Sequence, residues 1–270
     1  MNFRLSVVTL SLLAATSYAA PANEKTLDTI VVTGGGDRSV YDTAQPVSVL
    51  DTDDIHKNAG DNLGTLLESL PGVANASFGA GVGRPVIRGM SGSRVKILQN
   101  GTDTSDLSAM SSDHSPMAEP SAGEQIEIVY GPSTLLYGGG AIGGVVNVID
   151  SRIHEMIVPG VHGQVSAKAS TVDSGEHIEA LLDAGRGNWN LHLDGFSRDA
   201  GNYQSGSNGN IPDGNNSGEI DNSDTSGSGG AVGLSWADGQ TGFIGGSVST
   251  LEYDYGVPNV DGESFRVAPE

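Results

Sequence analysis

Hydrophobic and polar positions change their period along this chain. Between residues 41 and 152, short apolar runs alternate with turn residues. Pro46-Val47-Ser48-Val49-Leu50 predicts a short strand. Thr52-Asp53-Asp54 opens a helical stretch in which small acidic side chains cap the end and complement its dipole. Asp61 is expected to open a second helix, because Leu63, Leu66, Leu67 and Leu70 form one stripe at i, i+3, i+4 and i+7. Pro71-Gly72 stops it. Val86-Ile87, Val95–Leu98 before the Asn100-Gly101 turn, Ile126–Val129 before Gly131-Pro132, and Val145–Ile149 read as strands. This is a compact α+β unit with a modest core.

From about residue 160 the period becomes two. Trp189, Leu191 and Leu193 alternate with Asn190, His192 and Asp194. Val232, Leu234 and Trp236 alternate with Gly233 and Ser235, and Ile178, Ala180 and Leu182 with Glu179, Leu181 and Asp183. Such segments are expected of antiparallel transmembrane β-barrel strands, although a half-buried soluble sandwich alternates in the same way. The connections separate the two. Gly185-Arg186-Gly187 reads as a tight turn, whereas Asp199 to Gly229 is a Gly-, Ser-, Asn- and Asp-rich stretch. Short turns at one end and long loops at the other fit an outer-membrane barrel. A structureless loop of roughly thirty residues counts against a compact soluble domain. On this parity His177, Glu179, His192 and Asp194 face the lumen. Polar residues are the default there, and a metal site on this face is the sharper alternative. His56, His154 and His162 are expected at the surface.

Composition narrows the function classes. The 270 residues include 40 glycines and no cysteine, and the formal net charge is −20. Nucleic acid is a poor fit, because phosphate needs clustered Lys and Arg. An acidic surface suits cation attraction, or simple solubility. Without cysteine there is neither a disulfide nor a thiolate ligand. Arg4, the apolar run Leu5–Ala15, and the small residues Ser17 and Ala19 predict a signal peptide over residues 1–19. No later run reaches the roughly 18 apolar residues of a membrane helix, so any membrane passage uses strands. Residues 20–40 form a Pro- and Gly-containing leader interrupted by the β-prone run Thr29–Thr33. That run suits strand addition to a partner's sheet edge, or is the first strand of the next domain.

Several motifs, in order, resemble the plug domain of TonB-dependent outer-membrane receptors. Asp28-Thr29-Ile30-Val31-Val32-Thr33 looks like the TonB box, and Leu66–Val73 like the helix ending in Leu-Pro-Gly-Val. Arg84-Pro85-Val86-Ile87-Arg88-Gly89 looks like the Arg-Gly element. Ile126-Glu127-Ile128-Val129-Tyr130-Gly131-Pro132, then Leu135-Leu136-Tyr137-Gly138, then Gly143–Ile149, complete the pattern. Neither a P-loop nor a dinucleotide fingerprint accommodates these glycines. The resemblance implies a plug (residues 41–152) seated in a barrel of about 22 strands, of which residues 160–270 supply the first. It implies opening by TonB, working with ExbB and ExbD, through the box. Arg84 and Arg88 are expected to contact carboxylates on the barrel wall. The chain has room for only the opening strands of such a barrel, so it is expected to be a fragment that cannot transport alone.

Within the family, Ser93–Gly101 and Ser112-Asp113-His114 look most like the zinc importers. That resemblance makes Asp113 and His114 candidate metal ligands and zinc the expected cargo. Carboxylate oxygen and imidazole nitrogen both suit Zn²⁺, but two ligands are too few for a tetrahedral site. The Tyr255-Gly256-Val257-Pro258 element is present, but Asn259-Val260-Asp261-Gly262 follows it without the histidines expected there. Met110 and Met117 flank His114. Their sulfur suits Cu(I), and gap-filling is their plainer role. A siderophore, haem or copper receptor is the alternative cargo reading, and a surface adhesin or signal-sensing β-protein the alternative class. No nucleophile elbow or His-Glu-x-x-His helix points to an enzyme.

Overall fold

The computed structural model describes residues 30–31, 38–39, 46–58, 62–104, 107–131, 137–204, 218–239, 242–258 and 265–268. The signal segment, Asp28, Thr29, Val32, Thr33, Asp61, Leu135, Leu136 and residues 259–262 lie outside the described residues. β1 (Ile30–Val31) and β2 (Arg38–Ser39) pair antiparallel over two residue pairs, separately from the sheets that follow.

The α+β unit contains β3 (Val47–Leu50), α1 (Thr52–Lys57), α2 (Leu63–Leu67), β4 (Val73–Ser77), β5 (Gly83–Ile87), β6 (Val95–Gln99), β7 (Thr102–Asp103), β8 (Gln125–Tyr130) and β9 (Gly144–Ile149). The central sheet runs β3-β8-β9-β6-β7, parallel only between β6 and β9, and β4-β5 is a separate hairpin. Ile55 from α1 and Leu63, Leu66 and Leu67 from α2 join Ile126, Ile128, Val146 and Val148 in one core. Asp51 Oδ1 accepts from the Asp54 amide at 3.0 Å and caps α1. Asn62, rather than the expected Asp61, caps α2, its Oδ1 accepting from the Thr65 amide at 2.9 Å. Such a cap contributes about 1 kcal/mol.

The wall is a sheet of consecutive antiparallel neighbours. Its strands are β10 (Gly160–Ala169), β11 (Glu176–Arg186), β12 (Trp189–Ala200), β13 (Thr225–Ala237), β14 (Phe243–Val257) and β15 (Phe265–Val267). The tight turn is Gly187-Asn188, with Gly187 at φ 63°, one residue beyond the expected centre. The long loop is shorter than expected, because β13 begins at Thr225. Its glycines and serines are strand residues, and the hydrophobic pattern alone does not reveal them. The expected parity holds. Ile178, Trp189, Leu191, Val232, Leu234 and Val248 are exposed on one face, while His177, Glu179, Asn190 and His192 are buried on the other. An outward apolar band on strands is the lipid-facing side of a barrel wall.

The segment joining plug to wall lies against the buried face. Arg152, the His154 carbonyl, the Met156 carbonyl and the Val158 amide bond in turn to Asp194, Ser235 and Asn190. Glycines make room for it. A Cβ on Gly233 would stand 1.8 Å from the Arg152 carbonyl oxygen, and one on Gly185 would stand 1.7 Å from that of Val158. Gly233→Val is therefore expected to cost about 1–3 kcal/mol through overpacking. Thermal unfolding of the protein checks this; an unchanged midpoint contradicts it.

Candidate functional site

The Asp113-His114 turn is built from below by Arg84 of β5. This buried arginine donates from Nη1 to the Ser108 carbonyl at 3.0 Å, holding the loop that leads to the turn. Burial pulls the Arg84 guanidinium below its ordinary pKa, while the charge of Asp113 opposes that shift. The Ser111 hydroxyl donates to Asp113 Oδ1, and His114 Nδ1 lies 3.1 Å from the same oxygen. On the far side the Ser115 amide donates to the Tyr255 hydroxyl at 3.0 Å. Tyr255 sits near the end of β14 that leads away from the short turns, so the pair points toward the long-loop end. There the side chains of His114 and Asp113 remain 31% and 27% exposed. They offer one nitrogen and one oxygen ligand to an ion arriving from that end.

The Ser111 hydroxyl bond, aided by His114, holds the Asp113 carboxyl below its usual range against a smaller desolvation effect. A depressed carboxyl contributes stability above its unfolded value of about 3.9, and that contribution is lost as pH falls through the lower folded value. Ser111→Ala is expected to move the acid edge of the turn upward. A pH titration of Asp113 by NMR reads this directly, and an unshifted edge refutes it.

The other expected residues fall differently. Met110 is 89% exposed, so it fills no gap. Arg84 contacts Ser108, and Arg88 lies 5.3 Å over the Tyr130 ring. Among the described residues both contacts lie within the plug rather than on the wall. The seam is instead tied by residues that were not expected to do so. Glu119, buried on the plug, pairs with Arg198 of β12 and accepts from the Tyr253 hydroxyl of β14. His56 and His154, expected at the surface, are drawn into the seam. His56 Nδ1 lies 2.6 Å from Glu179 Oε1, and His154 Nε2 lies 2.7 Å from Asp183 Oδ1. Contacts between such distant residues leave no local signal. His162 is exposed as expected. Ile30 and Val31, within the run expected to be the TonB box, form the two-residue strand β1.

Comparison with known proteins agrees with this architecture. Residues 39–145 match the model of the TonB-dependent Receptor Plug Domain. A Yersinia enterocolitica "Hemin receptor" is 30% identical over 190 residues, 64% of this chain and 27% of that protein. The "Vitamin B12 transporter BtuB" of Photobacterium profundum is 32% identical over 152 residues, 55% of this chain and 25% of that protein. Among solved structures, "Copper transporter OprC" superposes with a TM-score of 0.59 at 21% identity, covering 77% of this chain and 30% of that one. The Pseudomonas aeruginosa ferric enterobactin receptor gives 0.60 at 19% identity, covering 78% and 33%. Plug and wall are thus similar, in sequence and in fold, to those of TonB-dependent receptors of the outer membrane. The chain spans about a third or less of the length of these relatives.

Proposed function

We propose that the receptor containing this chain imports a transition-metal ion, zinc first among candidates, with energy delivered by TonB, ExbB and ExbD through Asp28–Thr33. One observation carries the reading: Asp113 and His114 present oxygen and nitrogen together, partly exposed, on the side of the plug facing the long loops. Zinc takes this ligand pair readily, and the remaining ligands come from wall or loop residues. The plug domain motifs and relatives support the energy source. A second reading is a metal chelate such as haem or a siderophore. A cavity of about 670 Å³ between plug and wall, lined in part by Lys168, His177, Arg198 and Tyr203, has the size for one. The names of the hemin receptors point the same way.

Calorimetric titration of the full-length receptor with zinc separates the readings. Ion import predicts a site weakened in both Asp113→Ala and His114→Ala. Unchanged zinc affinity in both variants removes the site, and haem binding that survives them favours the chelate.

A further inference from the structure

The opposite end of the seam carries two histidines and a carboxylate that could together hold a metal ion. The two-residue turn pairs Arg186 with Trp189, and the register then places Asp183 opposite His192 on the inward face. Cross-strand partners share a face with Cβ atoms about 5 Å apart. His154 reaches the same point from the segment joining plug to wall. His154 Nε2 and His192 Nδ1 each lie 2.7 Å from Asp183 Oδ1. Ligand atoms of all three residues fall within 4.8 Å of one another. Their side chains are 14%, 1% and 13% exposed in the order His154, His192, Asp183, so solvent screens the cluster little.

The hydrogen-bond pattern indicates what this cluster wants. His192 Nε2 lies 3.0 Å from Asp194 Oδ2, and Arg152 fixes that carboxylate from two directions, Nε at 3.0 Å and Nη2 at 3.1 Å. A carboxylate that accepts only can be satisfied there if Nε2 carries the proton. In the neutral ring Nδ1 is then a bare lone pair, aimed at another acceptor, Asp183 Oδ1. Two lone pairs 2.7 Å apart need a cation between them, either a second proton on the ring or a metal ion. The outer carboxylate behind the histidine, with its own arginine, is the arrangement that orients ligating imidazoles in metal sites. A tetrahedral ion with bonds of about 2.0–2.2 Å spaces its ligands roughly 3.3 Å apart, so each imidazole nitrogen needs to draw back from Asp183 Oδ1 by only about 0.6 Å. His162 stands opposite Asp183 on the same rung, its Nε2 now 2.8 Å from the Pro159 carbonyl. The fourth position falls to water or to this imidazole.

We propose that His154, Asp183 and His192 form a second divalent transition-metal site of the zinc class, which staples the plug-to-wall segment to β11 and β12. It is separate from the Asp113-His114 pair and does not depend on the cargo reading. The test is zinc stoichiometry of the full-length receptor in detergent, with anomalous diffraction from zinc-soaked wild-type crystals. The Asp113→Ala/His114→Ala variant is expected to keep one zinc, and adding His154→Ala or Asp183→Asn to weaken it by more than tenfold. The wild-type crystal is expected to show an anomalous peak bonded to His154 and His192, a readout that needs no variant to fold. A soaked crystal without a peak there overturns the proposal, as does a stoichiometry that His154→Ala and Asp183→Asn leave unchanged.

Discussion

Glu119→Ala is expected to loosen the plug from the wall by about 3–5 kcal/mol, the usual cost of stranding one partner of a buried ion pair. Glu119 is 5% exposed and takes contacts from both sides of the seam. Its Oε2 receives Arg198 and the Tyr253 hydroxyl, and its Oε1 receives the Ser121 amide and hydroxyl at 3.0 and 2.6 Å. Arg198 lies 5.0 Å from the Phe196 ring and 5.4 Å from that of Tyr253, so its charge is packed among aromatics when the carboxylate is lost. Glu119→Gln keeps the shape and some of the hydrogen bonds, and is expected to lose less. Urea unfolding of the full-length receptor, followed by plug exposure, gives the ordering wild type, Gln, Ala. Three equal midpoints would contradict the assignment.

Val31→Pro is expected to abolish energised uptake while leaving ligand binding intact. Among the described residues Ile30 and Val31 pair with Ser39 and Arg38 alone. A ladder that short is marginal by itself, so little holds the box against capture as an added strand. Strand addition uses main-chain hydrogen bonds, and proline removes a donor from the middle of the run. Uptake by whole cells should fall to background, with zinc titration of the purified variant unchanged. Undiminished uptake would show that the box does not act by strand addition.

Much of this was legible from local pattern. The Leu63–Leu70 stripe and the β-branched runs at Ile126 and Val145 announced α2, β8 and β9, because a core selects apolar side chains at fixed periods. The two-residue period announced β11 and β12 and gave the correct inward face. β4 was missed because Val73-Ala74-Asn75-Ala76-Ser77 has no alternation. The first half of β13 was missed because Gly and Ser carry no hydrophobic signal, and these small residues let neighbouring chain approach. The Asp183–His192 pairing was within reach, since the turn at Gly187 fixes the register and the parity puts both residues inward. The arrival of His154 and His56 was not, because each depends on a segment folding back across a separately formed sheet. The Asp113-His114 pair came from resemblance, and its docking on Tyr255 became visible only in three dimensions.

On the proposed function, the apical Asp113-His114 pair receives the ion that TonB-driven import then carries inward. The most direct test is uptake of radioactive zinc by cells producing the full-length receptor. Wild type, the Asp113→Ala/His114→Ala variant and wild type in cells lacking TonB are compared at equal surface abundance. Saturable uptake by wild type and loss to background in the other two are expected. Zinc uptake that persists in the variant or without TonB would contradict that function.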